Sequence, residues 1–252
     1  MRVYVLGRSI WNYLVVALAT LILGIGIGRA TFFWPVQPTL AEMPMFYVKT
    51  KEPKVALTFD ISWGTQTLPK VLPILARYRI RATFFLSGPW AKYYPDLVKS
   101  IMAGGHEVAS HGQDHDNLSQ LSGERISGNI VRAHQELSKV TGNKVAYFFR
   151  PPNGDYDDLV IVTARSQNYE TVIWAVDSLD WKNPGADYMV QRVTESTFPG
   201  AIVLCHASDS SKQIQDALPG MIEGLKGKGY ELVTLTELMK YGTPGRDDPR
   251  SV

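Results

Sequence analysis

The stretch ALTFDISWG, Ala56 to Gly64, ends an apolar run on an aspartate and follows it with isoleucine, which leaves a single carboxylate there. The run VALTF reads as a buried strand, so Asp60 is the residue that strand delivers at its C-terminal end. From Val55 onward, short apolar or aromatic runs alternate with longer amphipathic segments. The further strand candidates are ATFFL, EVAS, YFF, TVIWAV, AIVL and ELVT. Helices fit between most of them: Pro95 opens one that Gly104 and Gly105 close, and Ser122 is placed to cap a long one running to about Val140. Alternation of this kind predicts a parallel α/β sheet, and seven strands with crossover helices point to a barrel.

The ends of those strands share a chemical character. Asp60 follows VALTF, His111 follows EVAS, Arg150 follows YFF, Asp177 follows TVIWAV, and His206 comes one residue after AIVL. In a parallel sheet the C-terminal strand ends form the rim where ligands bind. One polar residue at such a position is ordinary; five together mark a site. His111 and His115, four apart in SHGQDHDN, can meet at one metal ion from a helical turn or a tight loop, although the spacing alone is a weak signal. Arg150 opens RPPNGDY, a stiff loop able to order a neighbouring carboxylate. The two acids of DSLDW, Asp177 and Asp180, lie too close in one loop to oppose each other across a sugar ring, which ranks glycoside hydrolysis below other readings. His106 and His134 read as structural or surface residues.

The composition narrows the class. With 252 residues, 45% hydrophobic content and a net charge of +2, the chain suits one large globular domain. Its 26 Lys and Arg are scattered, which argues against nucleic acid as a partner. The single cysteine, Cys205 within AIVLCHA, excludes an intrachain disulfide and a Cys-rich zinc site and reads as a buried hydrophobe. From Ser9 to Gly28 there is no charge, a length that spans a bilayer core of about 30 Å as a helix. Arg2 and Arg8 before it place the N-terminus in the cytoplasm and the rest outside. A cleaved signal peptide is the competing reading. The expected organisation is an anchor at 1–30, a proline-bearing linker at 31–52, a domain at 53–242 and a polar tail at 243–252, expected to fray.

In order and spacing, TFDISWG, HGQDH, RPPNG, DSLDW and LCH resemble the five motifs of the polysaccharide deacetylases with the NodB homology domain, carbohydrate esterase family 4. The resemblance covers roughly Lys54 to Lys240. The wording TFDISWG with an N-terminal apolar segment looks most like the sporulation-associated PdaB-like branch. Similarity to the family implies a distorted (β/α) barrel, here preceded by one transmembrane helix. It also implies metal-dependent removal of acetyl groups from an N-acetylated glycan, with peptidoglycan favoured by placement outside a bacterial membrane.

By motif match, Asp60 would be the general base, Arg150 its orienting partner, and His111 and His115 the ligands of a divalent metal, zinc first and cobalt or nickel behind it. The Asn153 backbone N–H would help bind the oxyanion. Asp180 would keep His206 in its acid form, and Trp181 and Leu204 would wall the acetyl methyl. The sequence departs from the family where a second acid usually follows the base, since Ile61 cannot ligate a metal. Water then fills the vacancy, Asp60 turns toward the metal, or Asp114 or Asp116 contributes. Failing these, the chain keeps a glycan groove without catalysis.

Overall fold

The structure, a computed structural model, describes residues 43–251. The anchor expected at 1–30 lies outside that range, and among the described residues no helix is long and apolar enough to cross a membrane. The strands are β1 (Tyr47–Lys49), β2 (Lys54–Ile61), β3 (Thr83–Leu86), β4 (Glu107–Ser110), β5 (Phe148–Phe149), β6 (Glu170–Thr171), β7 (Val176–Asp177), β8 (Ile202–His206), β9 (Glu231–Val233) and β10 (Thr243–Gly245). The helices are α1 (Leu68–Tyr78), α2 (Gly88–Tyr93), α3 (Pro95–Ala103), α4 (Gly123–Thr141), α5 (Asp158–Ser166), α6 (Ala186–Ser196), α7 (Ile214–Gly227) and α8 (Leu235–Leu238).

An eight-stranded sheet runs in the order β6-β5-β4-β3-β2-β8-β7, with β9 paired to the first residues of β2. Its pairings are parallel. Successive side chains of a strand point to opposite faces, and β2 divides its residues accordingly. Val55, Leu57, Phe59 and Ile61 pack with Leu68, Val71 and Leu75 of α1 and with α7 residues such as Leu218 and Met221, the layer between sheet and helices. Ala56 instead joins Phe85, Ala109, Val172 and Ile202 in a second core on the concave face, where Leu235 and Leu238 of α8 also pack. Thr58 and Asp60 share the parity of Ala56, so β2 aims its polar residues into the hollow of the curled sheet.

Helix ends follow local chemistry. The Ser122 hydroxyl accepts from the Arg125 N–H at the start of α4, as its sequence position predicts. Gly142 closes α4 with a left-handed φ of 63°, a conformation free of steric cost for glycine.

Two expectations need correction. TVIWAV is not one strand: β6 pairs with β5, β7 pairs with β8, and residues 172–175 cross between these two edges. The sheet therefore stays an open, curled half-barrel instead of closing, because no ladder joins β6 to β7. Met45 fills the opening, its N–H donating to Thr171 O at 2.8 Å and its carbonyl accepting from the Ile173 N–H at 2.8 Å. The tail expected to fray is also structured. Thr243–Gly245 pairs antiparallel with Tyr47–Lys49, and Arg246 grips Glu170 through both Nη atoms at 2.7 and 3.1 Å. The pairing takes up backbone polar groups on both segments, which polar composition alone does not reveal.

Gly200 shows how tightly β1 is seated. Its φ is +85°, its carbonyl accepts from the Val48 N–H at 2.9 Å, and a Cβ there would lie 1.8 Å from Val48 O. Gly200→Ala is expected to cost about 2 kcal/mol or more and to lower the thermal midpoint. Calorimetry checks it; an unchanged midpoint would show that β1 is not held at this contact.

Candidate active site

The rim of the half-barrel carries a cleft of about 350 Å³. Asp60, His111, His115, Asn153, Asp177, Trp181, Leu204 and His206 line it, together with Ser62, Trp63, Gly154, Trp174, Ser208 and Ser210. Register brings the reactive pair together, since Asp60 of β2 is the direct neighbour of His206 on β8. Neighbouring strands lie about 4.8 Å apart, so a carboxylate and an imidazole share one end of the hollow.

Beneath them Arg150 is fully buried. Its Nη1 donates to Asp60 Oδ1 at 2.7 Å and to Thr58 Oγ1 at 2.9 Å, and Nη2 donates to Ile173 O at 2.9 Å. The guanidinium lies 4.1 Å above the Phe85 ring, an apolar floor that also gives a cation–π contact. Burial pushes the Asp60 carboxyl upward, but Arg150 leads the charges that outweigh it and hold the group below the usual carboxylate range.

His111 presents one defined nitrogen. Its Nδ1–H donates to Arg150 O at 2.8 Å, which leaves the Nε2 lone pair facing Asp60 Oδ2 at 3.7 Å. Burial drives the imidazole pKa down to about 4, so at neutral pH it is uncharged and the 3.7 Å contact is no ion pair. The His115 ring stands edge-on, 5.5 Å away between centroids, on an exposed loop. A neutral imidazole fixed by a backbone carbonyl, its lone pair aimed at an ionised carboxylate, suits a cation. The donor set therefore fits a divalent ion held by His111 and His115. Among the described residues, however, no group of three or more His, Cys, Asp or Glu is arranged to hold one.

The sources considered for a third ligand divide. Asp114 Oδ2 is engaged by Arg132 at 3.0 Å, and neither Asp114 nor Asp116 lines the cleft. Asp60 keeps Oδ2 toward His111 while Arg150 binds Oδ1. Ile61 is fully buried with Phe59, Leu86 and Trp90 in the helix-facing layer.

His206 is tuned the opposite way. Asp180, fully buried, accepts from His206 Nδ1–H at 2.8 Å, from the His206 backbone N–H at 2.7 Å and from Ser211 Oγ at 2.8 Å. Burial alone would lower the imidazole pKa, but the hydrogen bond and charge of Asp180 raise it above the ordinary value. Nε2 is left facing the cleft. Asp177 is partly buried at the lining and accepts from the Leu179 N–H at 2.8 Å; burial raises its carboxyl. Asn153 has φ 57°, with its side-chain amide donating to Asn117 at 2.8 Å. His106 and His134 stay outside the cleft, accepting the Ala82 N–H at 3.1 Å and pairing with Tyr169 at 2.7 Å respectively.

A fixed carboxylate and a carboxylate-backed histidine, set on neighbouring parallel strands beside two further imidazoles, reproduce the motif order read from the sequence. Residues 47–172 match the family Polysaccharide deacetylase. This chain belongs to that family. A peptidoglycan-N-acetylglucosamine deacetylase of Bacillus cereus is 35% identical over 77% of this chain and 92% of its own length. The uncharacterized protein YlxY of Bacillus subtilis is 35% identical over 80% of this chain, a match spanning 62% of that protein. Among solved structures, a CE4 family pseudoenzyme from Bacillus anthracis superposes with TM-score 0.74 at 36% identity, covering 79% of this chain and 70% of its own. A mutant of that pseudoenzyme is described as having restored enzymatic activity.

Every site residue expected from the motifs lies in or directly beneath the cleft. Sequence reasoning missed Ser62, Trp63, Trp174 and Ser208, which reach the lining from loops. Trp63 stands inside the TFDISWG wording, and an aromatic residue three positions after Asp60 was the signal that could have found it.

Arg150→Met removes the partner of a buried charge, an expected loss of about 3–5 kcal/mol at neutral pH. The depressed Asp60 pKa contributes stability above its unfolded value near 3.8, lost as pH falls through the folded value. In the variant the unpaired carboxyl takes up a proton more readily, so the gap from wild type narrows in acid. Denaturant melts at pH 7 and pH 4 check this, and a gap independent of pH would contradict it. Ile61→Asp places a carboxylate in the apolar layer, and the chelated variant is expected to melt below wild type. Zinc should recover more of its midpoint than it adds to wild type; no zinc-dependent gain would put residue 61 outside the reach of the ion.

Proposed function

We propose that this chain removes N-acetyl groups from amino sugars of a peptidoglycan-like polysaccharide, tethered to the outer side of a membrane through Ser9–Gly28. The observation that carries the reading is the Asp60–His206 register, which sets a carboxylate whose pKa is lowered by Arg150 beside an imidazole whose pKa is raised by Asp180. Deacetylation needs a base and an acid of opposite protonation state in one cleft. The names of the Bacillus cereus relative and of a Bacillus subtilis peptidoglycan-N-acetylmuramic acid deacetylase, 32% identical over 77% of this chain, support the substrate class. The TFDISWG wording and the apolar N-terminal segment support the PdaB-like, sporulation-associated branch.

Asp60 Oδ2 is the free carboxylate oxygen, because Oδ1 is engaged by Arg150, and it takes a proton from water as the water oxygen bonds the acetyl carbon. A divalent ion at His111 and His115 supplies carbonyl polarisation and a lower pKa for water when bound. Asn153 lines the cleft, and its backbone N–H takes the part of oxyanion donor, a contribution typically worth about 2.7–4 kcal/mol of barrier. His206 Nε2–H then protonates the amine nitrogen as the C–N bond breaks, giving acetate and a free amino sugar. Leu204 and Trp181 enclose the methyl.

A second reading has its own observation. Ile61 offers no oxygen to the cleft and a pseudoenzyme is a close structural relative, which together support a glycan-binding groove without turnover.

Acetate release from N-acetylated peptidoglycan fragments, measured after chelation and after adding zinc, cobalt or nickel, separates the two. Metal-restored release is expected, abolished by His206→Ala with metal content unchanged. The rate should fall on the alkaline side as His206 loses its proton, and Asp180→Asn should move that limb to lower pH. Binding of glycan with no acetate under any metal would establish the second reading.

A further inference from the structure

Trp63 is 55% exposed, yet the loop that carries it is hydrogen-bonded on both sides of it. Asp209 accepts three consecutive backbone N–H groups there: Thr65 at 3.0 Å, Gln66 at 2.9 Å and Thr67 at 3.0 Å. Gly64, at φ +83°, lies so close that a Cβ would sit 2.3 Å from Asp209 Cγ. The buried Trp90 donates its indole N–H to Gly64 O at 2.7 Å, and the Ser62 N–H donates to Ser208 Oγ at 3.1 Å. The residues on both sides of Trp63 are thus pinned, while its own indole makes no ring contact or hydrogen bond among the described residues. An indole held in water by so much fixed backbone loses little freedom when a ligand covers it.

The cleft beside it is small. At about 350 Å³ it is near the lower end of the range for ligand pockets, enough for the reacting sugar and too little for a chain. Neighbouring sugars of a polymer must lie at the rim. Trp63, on the loop after β2, and Trp181, 47% exposed on the loop after β7, both line the cleft, from strands separated by β8. Lys182 already lies 4.8 Å from the Trp181 ring, whereas Trp63 is bare.

We propose that Trp63 is a stacking platform for the pyranose ring next to the one bound in the cleft, held in place by Asp209 as a positioning residue. The flat face of an amino sugar presents C–H groups to an indole while its hydroxyls stay in water, a match that a branched aliphatic side chain cannot make. The inference rests on the proposal of a glycan ligand but not on turnover.

Calorimetric titration of the full-length chain with N-acetylglucosamine and with its tetramer gives the test. Wild type should gain affinity from monomer to tetramer. That gain should shrink about tenfold in Trp63→Ala and Trp63→Leu and survive largely in Trp63→Tyr, which keeps a flat ring. Full gain in Trp63→Ala, equal rescue by Leu and Tyr, or no gain in wild type would each overturn the platform. Acetate release is scored separately, so a chain that stacks glycan without releasing acetate fails the deacetylase reading and keeps this one.

Discussion

The buried guanidinium of Arg150 is the constraint on which the site depends. It bonds β2 through Thr58 and Asp60 and the crossing segment through Ile173, while its own backbone carries the β5 end. A charge at zero exposure is tolerable only with a counter-charge and hydrogen bonds around it, and here both exist. The same contacts serve two purposes. They fasten the inner face of the half-barrel at its open side, and they fix one oxygen of Asp60 so that the other faces the cleft. The Arg150 carbonyl also sets the tautomer of His111. One residue therefore orders the Asp60 carboxylate, the His111 imidazole and the 172–175 crossing together.

The opposite tuning of Asp60 and His206 follows from what backs each group. Asp60 is backed by a cation and His206 by a carboxylate, so the pKa values of these neighbours shift in opposite directions, the carboxyl down and the imidazole up. Asp180 accepts three hydrogen bonds, two from His206 itself and one from Ser211. The position that departs from the family, Ile61, lies outside this arrangement. It belongs to the helix-facing core, and the Asp60–His206 neighbourhood is built without it.

Much of this was legible in the sequence because strand periodicity is local. Asp60, His111, Arg150 and His206 each stood at the end of an apolar run, and parallel strands necessarily bring such ends to one rim. What escaped depended on contacts between distant segments. TVIWAV has the composition of a strand throughout, yet residues 172–175 are drawn off the ladder to bridge two edges, with Met45 as partner. Thr243–Gly245 looks like a loose tail until β1 is placed beside it. Asp209 carries no motif, and its role is defined by three N–H groups more than 140 positions away in the chain.

The filling of the half-barrel's opening by Met45 bears on solubility. A curled sheet that does not close has two edges, and rows of unpaired backbone groups there template pairing between molecules. In this chain Met45 and the 172–175 crossing occupy that gap, and β10 covers the outer side of β1. A version trimmed past Lys49 would retain Asp60, Arg150, His111 and His206 but would bare those edges. Its first failure would be self-association, with those four cleft residues still in place.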